Sequence, residues 1–154
     1  MLNYEIEDAS KILAVARSLK KYRPPFRIVG GYRLIDNGID PEATVQIEAN
    51  GRVIHEASNG AGPVDALANV LKKGLTPLFP MIGSIKLVDF HADILDAKRG
   101  TSTDVEVTII FTDGIEIWRV HSLSENINNA SFNVLVDGFE YAVLKWQARR
   151  AKKK

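Results

Sequence analysis

Apolar positions along this chain follow two alternating rhythms. Between residues 6 and 20, Ile6, Ala9, Ile12, Leu13, Ala16 and Leu19 keep the 3.6-residue period of a helix with one buried stripe. Pro24-Pro25 ends that helix, because proline has no N–H to continue the ladder. Residues 26–36 read as a strand, followed by a loop holding Asn37-Gly38 and Pro41. Residues 44–49 and 52–57 read as two strands joined by Asn50-Gly51. That dipeptide is a strong hairpin signal, since a type I′ turn needs positive φ at both central positions. After Ser58-Asn59-Gly60-Ala61-Gly62, Pro63 opens a helix where its missing N–H costs nothing. Val64, Leu67, Leu71 and Leu75 form its stripe, and Pro77 and Pro80 stop it.

The same order then recurs. Residues 85–95 read as a strand, and 105–111 with 115–120 as a hairpin joined at Asp113-Gly114. A polar stretch, Ser122-Leu123-Ser124-Glu125-Asn126, leads into a long helix with Ser124 as its expected N-cap. Val134, Leu135, Phe139, Ala142, Val143 and Trp146 make its buried face. Val45 and Ile47 align with Val105 and Val107 at an offset of 60, and Gly51 with Gly114 at 63. Ala66, Asn69-Val70-Leu71 and Gly74 align with Ala130, Asn133-Val134-Leu135 and Gly138 at 64. This drift places three extra residues in the second hairpin and one before its helix.

The predicted class is α+β: two β-β-β-α units related by pseudo-twofold symmetry and preceded by an N-terminal helix. The expected division of one domain is a lead-in helix over 1–24, units over 25–80 and 84–150, and a basic tail over 151–154. One sheet with one helix is thin for a core of its own. The units are therefore expected to pack on each other or on a second chain, and a homodimer is expected.

Composition narrows the function. A length of 154 residues suits one domain. Hydrophobic content of 45% with 25% charged residues excludes a disordered chain. A formal net charge of +1 gives no bulk reason to expect nucleic acid or a membrane as partner. The one concentrated charge, Arg149-Arg150-Ala151-Lys152-Lys153-Lys154, suits a helix C-terminus. The absence of cysteine removes disulfides, thiolate metal sites and a thiol nucleophile, and fits a cytoplasmic protein. No apolar run approaches the ~20 residues of a membrane span, and the acidic start shows no signal peptide.

Catalytic constellations are scarce, and no catalytic residue, metal site or cofactor is expected. His55, His91 and His121 stand apart from one another, none in a metal-ligand spacing. Asp89 and Asp93 share a strand face near Asp96, which reads best as a solvated surface. No Gly-x-Ser-x-Gly nucleophile motif occurs. The informative places are the two helix starts, whose unpaired N–H groups and dipole suit a carboxylate or phosphate. The first, Asn59-Gly60-Ala61-Gly62-Pro63, presents bare backbone, a pattern that taken alone reads more readily as a tight turn with close helix packing.

These residues carry a resemblance. Gly60-Ala61-Gly62-Pro63-Val64-Asp65-Ala66-Leu67 resembles the Gly-x-Gly-Pro-Val-[Asp/Asn]-Ala-Leu signature of the C-terminal regulatory domain of 2-isopropylmalate synthase and its relatives. Leu87-Val88-Asp89-Phe90 is similar to that family's Leu-x-Asp-Tyr strand. Gly100-Thr101-Ser102-Thr103-Asp104-Val105 is similar to its Gly-Thr-x-Ala-x-Val segment. Residues 124–131 resemble its Ser-x-[Asp/Asn]-Ile-[Ile/Val]-Glu-Ala-Ser helix start. Trp118, Val136-Asp137-Gly138-Phe139-Glu140-Tyr141 and Tyr22-Arg23-Pro24-Pro25-Phe26 look like the citramalate synthase branch.

The resemblance implies a dimeric, doubled β-β-β-α domain that binds an end-product amino acid, isoleucine or leucine. Binding there would inhibit a (β/α)₈ barrel, in cis or in trans, that condenses acetyl-CoA with a 2-oxo acid. By motif, the ligand site implied is Gly60, Gly62, Pro63, Val64, Phe90, Thr103, Asn126 and Ile127. Helix-start N–H groups would hold the carboxylate, and Val64, Phe90 and Ile127 the branched side chain. The sequence departs from the pattern at Phe90 in place of Tyr, at Thr103 in place of Ala, and at Asn128 and Asn129. A chain of 154 residues has no room for a barrel of ~250, so an excised domain or a free-standing regulatory subunit is expected. Two other readings stay open: a dimerisation module without ligand, and a double-stranded-RNA-binding-like module over residues 6–75. The latter needs lysines at its second helix start, where this chain has Asp65.

Overall fold

The computed structural model describes residues 5–95 and 104–153. In chain order its elements are β1 (Ile6–Asp8), α1 (Ala9–Arg17), β2 (Arg27–Ile35), β3 (Glu42–Ala49), β4 (Arg52–Asn59) and α2 (Pro63–Leu75). A short 3₁₀ helix (Pro80–Ser84), β5 (Lys86–Leu95), β6 (Asp104–Thr112), β7 (Ile117–Ser124) and α3 (Ile127–Lys152) follow. Helices and two separate sheets give the α+β class expected from the pattern. The chain divides into two compact units. The first holds residues 23–83 with 142–154, and the second holds residues 84–141 with the N-terminal segment through Tyr22.

In the first unit, β2, β3 and β4 form an antiparallel sheet in that order. Ala43, Val45, Ile47 and Ala49 alternate into the core along β3, while Thr44, Gln46 and Glu48 point to the opposite face. Leu67, Leu71 and Leu75 of α2 are fully buried, which stabilises the unit by about 1.5–3 kcal/mol for each side chain. Gly74 lets that helix close on the sheet, since a Cβ there would stand 2.8 Å from Ile47 Cδ1.

In the second unit, the sheet order is β1-β7-β6-β5, with β1 parallel to β7. Val107, Ile109 and Phe111 are buried along β6. Phe111 stacks on Trp118 at 6.2 Å and meets Phe139 edge-on at 5.9 Å. The Trp118 indole is fully buried and donates to the Gly138 carbonyl at 3.2 Å, satisfying its only polar atom.

Two boundaries differ from expectation. Ile6–Asp8 is a strand paired with Ile117–Arg119, so the ladder overrides the helical period there. The helix begins only at Ala9, capped by Asp8, whose Oδ1 accepts from Lys11 N at 3.2 Å. The N-terminal segment through Tyr22 groups with the second unit. The last helix starts later than expected, because Ser124 still pairs with Val105 in the sheet.

The register corrects the repeat. Ile47 faces Ile54 across the first hairpin, and Phe111 faces Trp118 across the second. Val45 with Glu56 and Ile109 with Val120 repeat the relation, so both hairpins match at a constant offset of 64. The helices keep it: Ala66 N bonds Gly62 O, and Ala130 N bonds Asn126 O. Ile47 under Gly74 therefore corresponds to Phe111 under Gly138. The extra residues lie between the first two strands, because Tyr32 opposite Val45 matches Phe90 opposite Ile109 at an offset of 58. Gly114 takes the place of Asn50 and not of Gly51. Asn50 and Gly51 both have positive φ (53° and 75°), the type I′ pattern, whereas of Gly114 and Ile115 only Gly114 does (90°), the type II′ pattern.

Candidate functional site

The first helix start lies wholly in the first unit. Gly62 is the N-cap of α2, in extended conformation, and brings no side chain to cap the first turn. Pro63 follows with no N–H to offer. The N–H groups of Val64 and Asp65 have no partner among the described residues. Asp65 turns its carboxylate backwards, and Oδ2 accepts from Ala61 N at 2.8 Å. The two glycines do different work. A Cβ on Gly60 would collide with the backbone of Asp65 and Ala66, so Gly60 serves close packing of turn on helix. A Cβ on Gly62 would meet nothing within 4 Å, so that side of the turn is open. Asn69 Nδ2 and Lys73 Nζ tie α2 back to the carbonyls of Asn59 (3.1 Å) and Ala57 (3.0 Å).

The second helix start is built differently. Asn126 is its N-cap, and its Oδ1 accepts from Asn128 N (2.8 Å) and Asn129 N (3.2 Å). Ser124 Oγ accepts from Asn126 N at 3.2 Å, and Ser124 stands two residues ahead of the N-cap position expected for it. The donors left open at Val64 and Asp65 are thus occupied at the corresponding positions. Ile127 opens the helix and is exposed. Phe90 sits on the edge strand β5, opposite Ile109, and is 40% exposed although Ile109 is fully buried. Thr103, like Asp96 and the segment 100–103, lies outside the described residues. The structure brings Gly60, Gly62, Pro63 and Val64 together in one unit, and places Phe90, Asn126 and Ile127 in the other.

Ser131, the last residue of the second helix-start motif, is fully buried on the first turns of α3, and its hydroxyl has no partner among the described residues. Nothing in its spacing distinguishes it from an ordinary small core residue. A carboxylate network was missed: the buried Glu140 accepts from Tyr22 Oη at 2.6 Å and from Arg17 at 3.3 Å. Arg17 also binds Asp137 at 2.7 Å. Burial and the neighbouring carboxylate push the Tyr22 phenol well above its usual range, and burial with Glu7 does the same to Tyr141. The histidines stay apart, and His91 meets Asp93 at 3.1 Å. No group of three possible metal ligands, and no helix long and apolar enough to cross a membrane, occurs among the described residues.

Comparison with known proteins decides the family. Residues 5–143 match the model of the LeuA allosteric (dimerisation) domain. The chain belongs to this family. A protein of Geobacter sulfurreducens called (R)-citramalate synthase is 34% identical over 98% of this LeuA-type chain. Proteins of the same name from a Synechocystis species and from Aquifex aeolicus are each 32% identical, over 91% and 93% of it. The chain spans 30%, 27% and 28% of those three proteins, so it corresponds to a regulatory domain of much longer enzymes.

Proposed function

We propose that this LeuA-type domain binds a branched-chain amino acid, isoleucine or leucine, as the effector of feedback inhibition. The enzyme controlled would be an acetyl-CoA-dependent synthase of the citramalate type, a transferase whose catalytic barrel lies in cis or in trans. The domain would act as a homodimer. The observation that carries this reading is the first helix start: Val64 and Asp65 N–H groups open to a ligand beside the bare Gly62. A ligand carboxylate would sit on these donors at the positive end of the helix dipole. The half-buried Val64, next to those donors, is the apolar group that the first unit offers to a branched side chain. Coupling of effector to catalysis would be about 1–3 kcal/mol, as for other allosteric pairs.

The test is thermal unfolding with isoleucine, leucine, valine and lysine in turn. An effector at 100 times its Kd should add about 2.7 kcal/mol. A Gly62→Asp variant, carrying its own carboxylate at the N-cap, should lose that shift. Absence of any shift with every amino acid would leave the domain a dimerisation module and end the sensing proposal for this chain.

A further inference from the structure

The face of the first unit's sheet turned away from α2 carries a glycine bulge. The pairing of β2 with β3 is interrupted between Ile28–Ile47 and Tyr32–Val45, leaving Val29, Gly30 and Gly31 to bulge opposite Gln46. Gly30 and Gly31 have φ of +71° and +75°, a region that disfavours other residues. No atom lies within 4 Å of where their Cβ atoms would be. The bulge therefore exposes bare backbone to open space.

Four polar side chains surround it. Arg33 stands opposite Thr44, and Gln46 opposite His55, so all four share the face turned away from α2. None of these side chains makes a hydrogen bond or ion pair with a described residue. Together with the bulge they line a cleft of about 160 Å³. The carboxylates of that face are Glu42 and Glu48. Neither lines the cleft, and Glu48 is held by Arg27 at 2.6 Å.

We propose that this cleft binds a phosphate-type oxyanion. The guanidinium supplies charge and a planar donor fork. His55, Gln46 and Thr44 add donors from other directions, which suits a tetrahedral anion better than a flat carboxylate. The volume is below the roughly 300 Å³ at which small-molecule pockets begin, so the site takes an anionic group and leaves any attached organic part in solvent. It is independent of the helix start, which lies at the end of β4 and not on this face.

The test is a titration of the full chain with inorganic phosphate, and separately with acetate, followed by amide NMR at fixed ionic strength. Saturable shifts are expected at Gly30, Gly31, Gln46 and His55, with acetate much weaker. Arg33→Gln should weaken phosphate binding by about tenfold or more, since charge-assisted hydrogen bonds are lost. His55→Ala should weaken it less. Both residues are exposed, so the unfolding midpoint should not move. Gly62→Asp should leave phosphate binding intact, which separates this site from amino-acid sensing. Non-saturating shifts, equal binding of acetate, or unchanged affinity in Arg33→Gln would overturn the proposal.

Discussion

The two helix starts occupy equivalent positions, 64 residues apart, yet one is open and the other closed. At the first, Gly62 caps nothing and Asp65 turns away to Ala61. At the second, Asn126 fills both corresponding donors from its own side chain. A duplicated unit carries two copies of every site, and a single side chain at the N-cap separates a copy fit for a ligand from one that serves its own helix. The same division of labour runs through the packing. Ile47 meets Gly74 with a flexible methyl tip, while Phe111 meets Gly138 with a ring fixed between Trp118 and Phe139.

The largest effects should come from the glycines. Gly60→Ala sets a methyl against backbone that cannot yield, and should cost about 3 kcal/mol, at the upper end of overpacking penalties. Gly138→Ala should cost about 2 kcal/mol: the Phe111 ring must move, while alanine regains about 1 kcal/mol of helix propensity. Gly74→Ala, against the Ile47 tip, should be close to neutral. For a chain of this size, each kcal/mol moves the melting temperature by about 2–4 °C. Equal losses at Gly74 and Gly138 would break the contrast between the two cores.

Charge separates the units next. Glu140 is buried and leans on Arg17 and Tyr22, all in the second unit. Arg17→Met leaves that carboxylate with the phenol alone. Because Arg17 is itself two-fifths exposed, solvent tempers the loss to about 1–2 kcal/mol. The same unit should be the one sensitive to alkali. Tyr22 and Tyr141 donate to carboxylates, so their folded pKa values lie above the unfolded value of 10. Their contribution is complete below pH 10 and is lost as pH rises through the folded values. The unfolded chain then releases protons that the folded chain holds, and stability falls by at most about 1.4 kcal/mol per pH unit for each phenol. Tyr22→Phe should flatten the alkaline limb of stability against pH. In the first unit Tyr32 is shifted upward by burial alone.

Much of this was legible in the sequence, for a physical reason. Period-two alternation along residues 43–49 and the Asn50-Gly51 turn specify a half-buried hairpin almost unaided. The same alternation hides the register. Val105 and Val107 lie on the same face as Ile109 and Phe111, so a slip of four residues preserves every inward position and gave an offset of 60 where pairing gives 64. Ile6–Asp8 kept helical spacing, and only its ladder to β7, more than a hundred residues away, makes it a strand. At the site, the glycine signature located the helix start. It could not tell that Gly60 is steric and Gly62 open, nor that Asn126 would fold its amide onto its own helix.

Smaller effects probe the interior of the second start. Ser131 buries a hydroxyl with no partner among the described residues, whereas its counterpart in the first unit, Leu67, is an ordinary core residue. Ser131→Ala should leave stability unchanged or raise it by up to about 1 kcal/mol, because desolvation is relieved and no bond is lost. A loss of stability in urea unfolding would show that the hydroxyl is satisfied in solution and that this start is not sealed.

The smallest change in stability carries the sharpest contrast. Gly62→Asn copies the second N-cap into the first start, where its Oδ1 would reach the Val64 and Asp65 N–H groups. Asparagine exceeds glycine as an N-cap by only a few tenths of a kcal/mol, so the melting temperature should rise by about 1 °C. The proposed effector should meanwhile lose its hold, because the donors it needs are filled. Asn126→Gly is the reciprocal change and should cost a few tenths of a kcal/mol. If the open cap is what distinguishes the two starts, isoleucine-dependent stabilisation disappears in Gly62→Asn and survives in Asn126→Gly. Stabilisation that survives in Gly62→Asn would mean the amino acid sits away from these amides. Stabilisation lost only in Asn126→Gly would move the site to the second unit, at the start where Ile127 stands exposed.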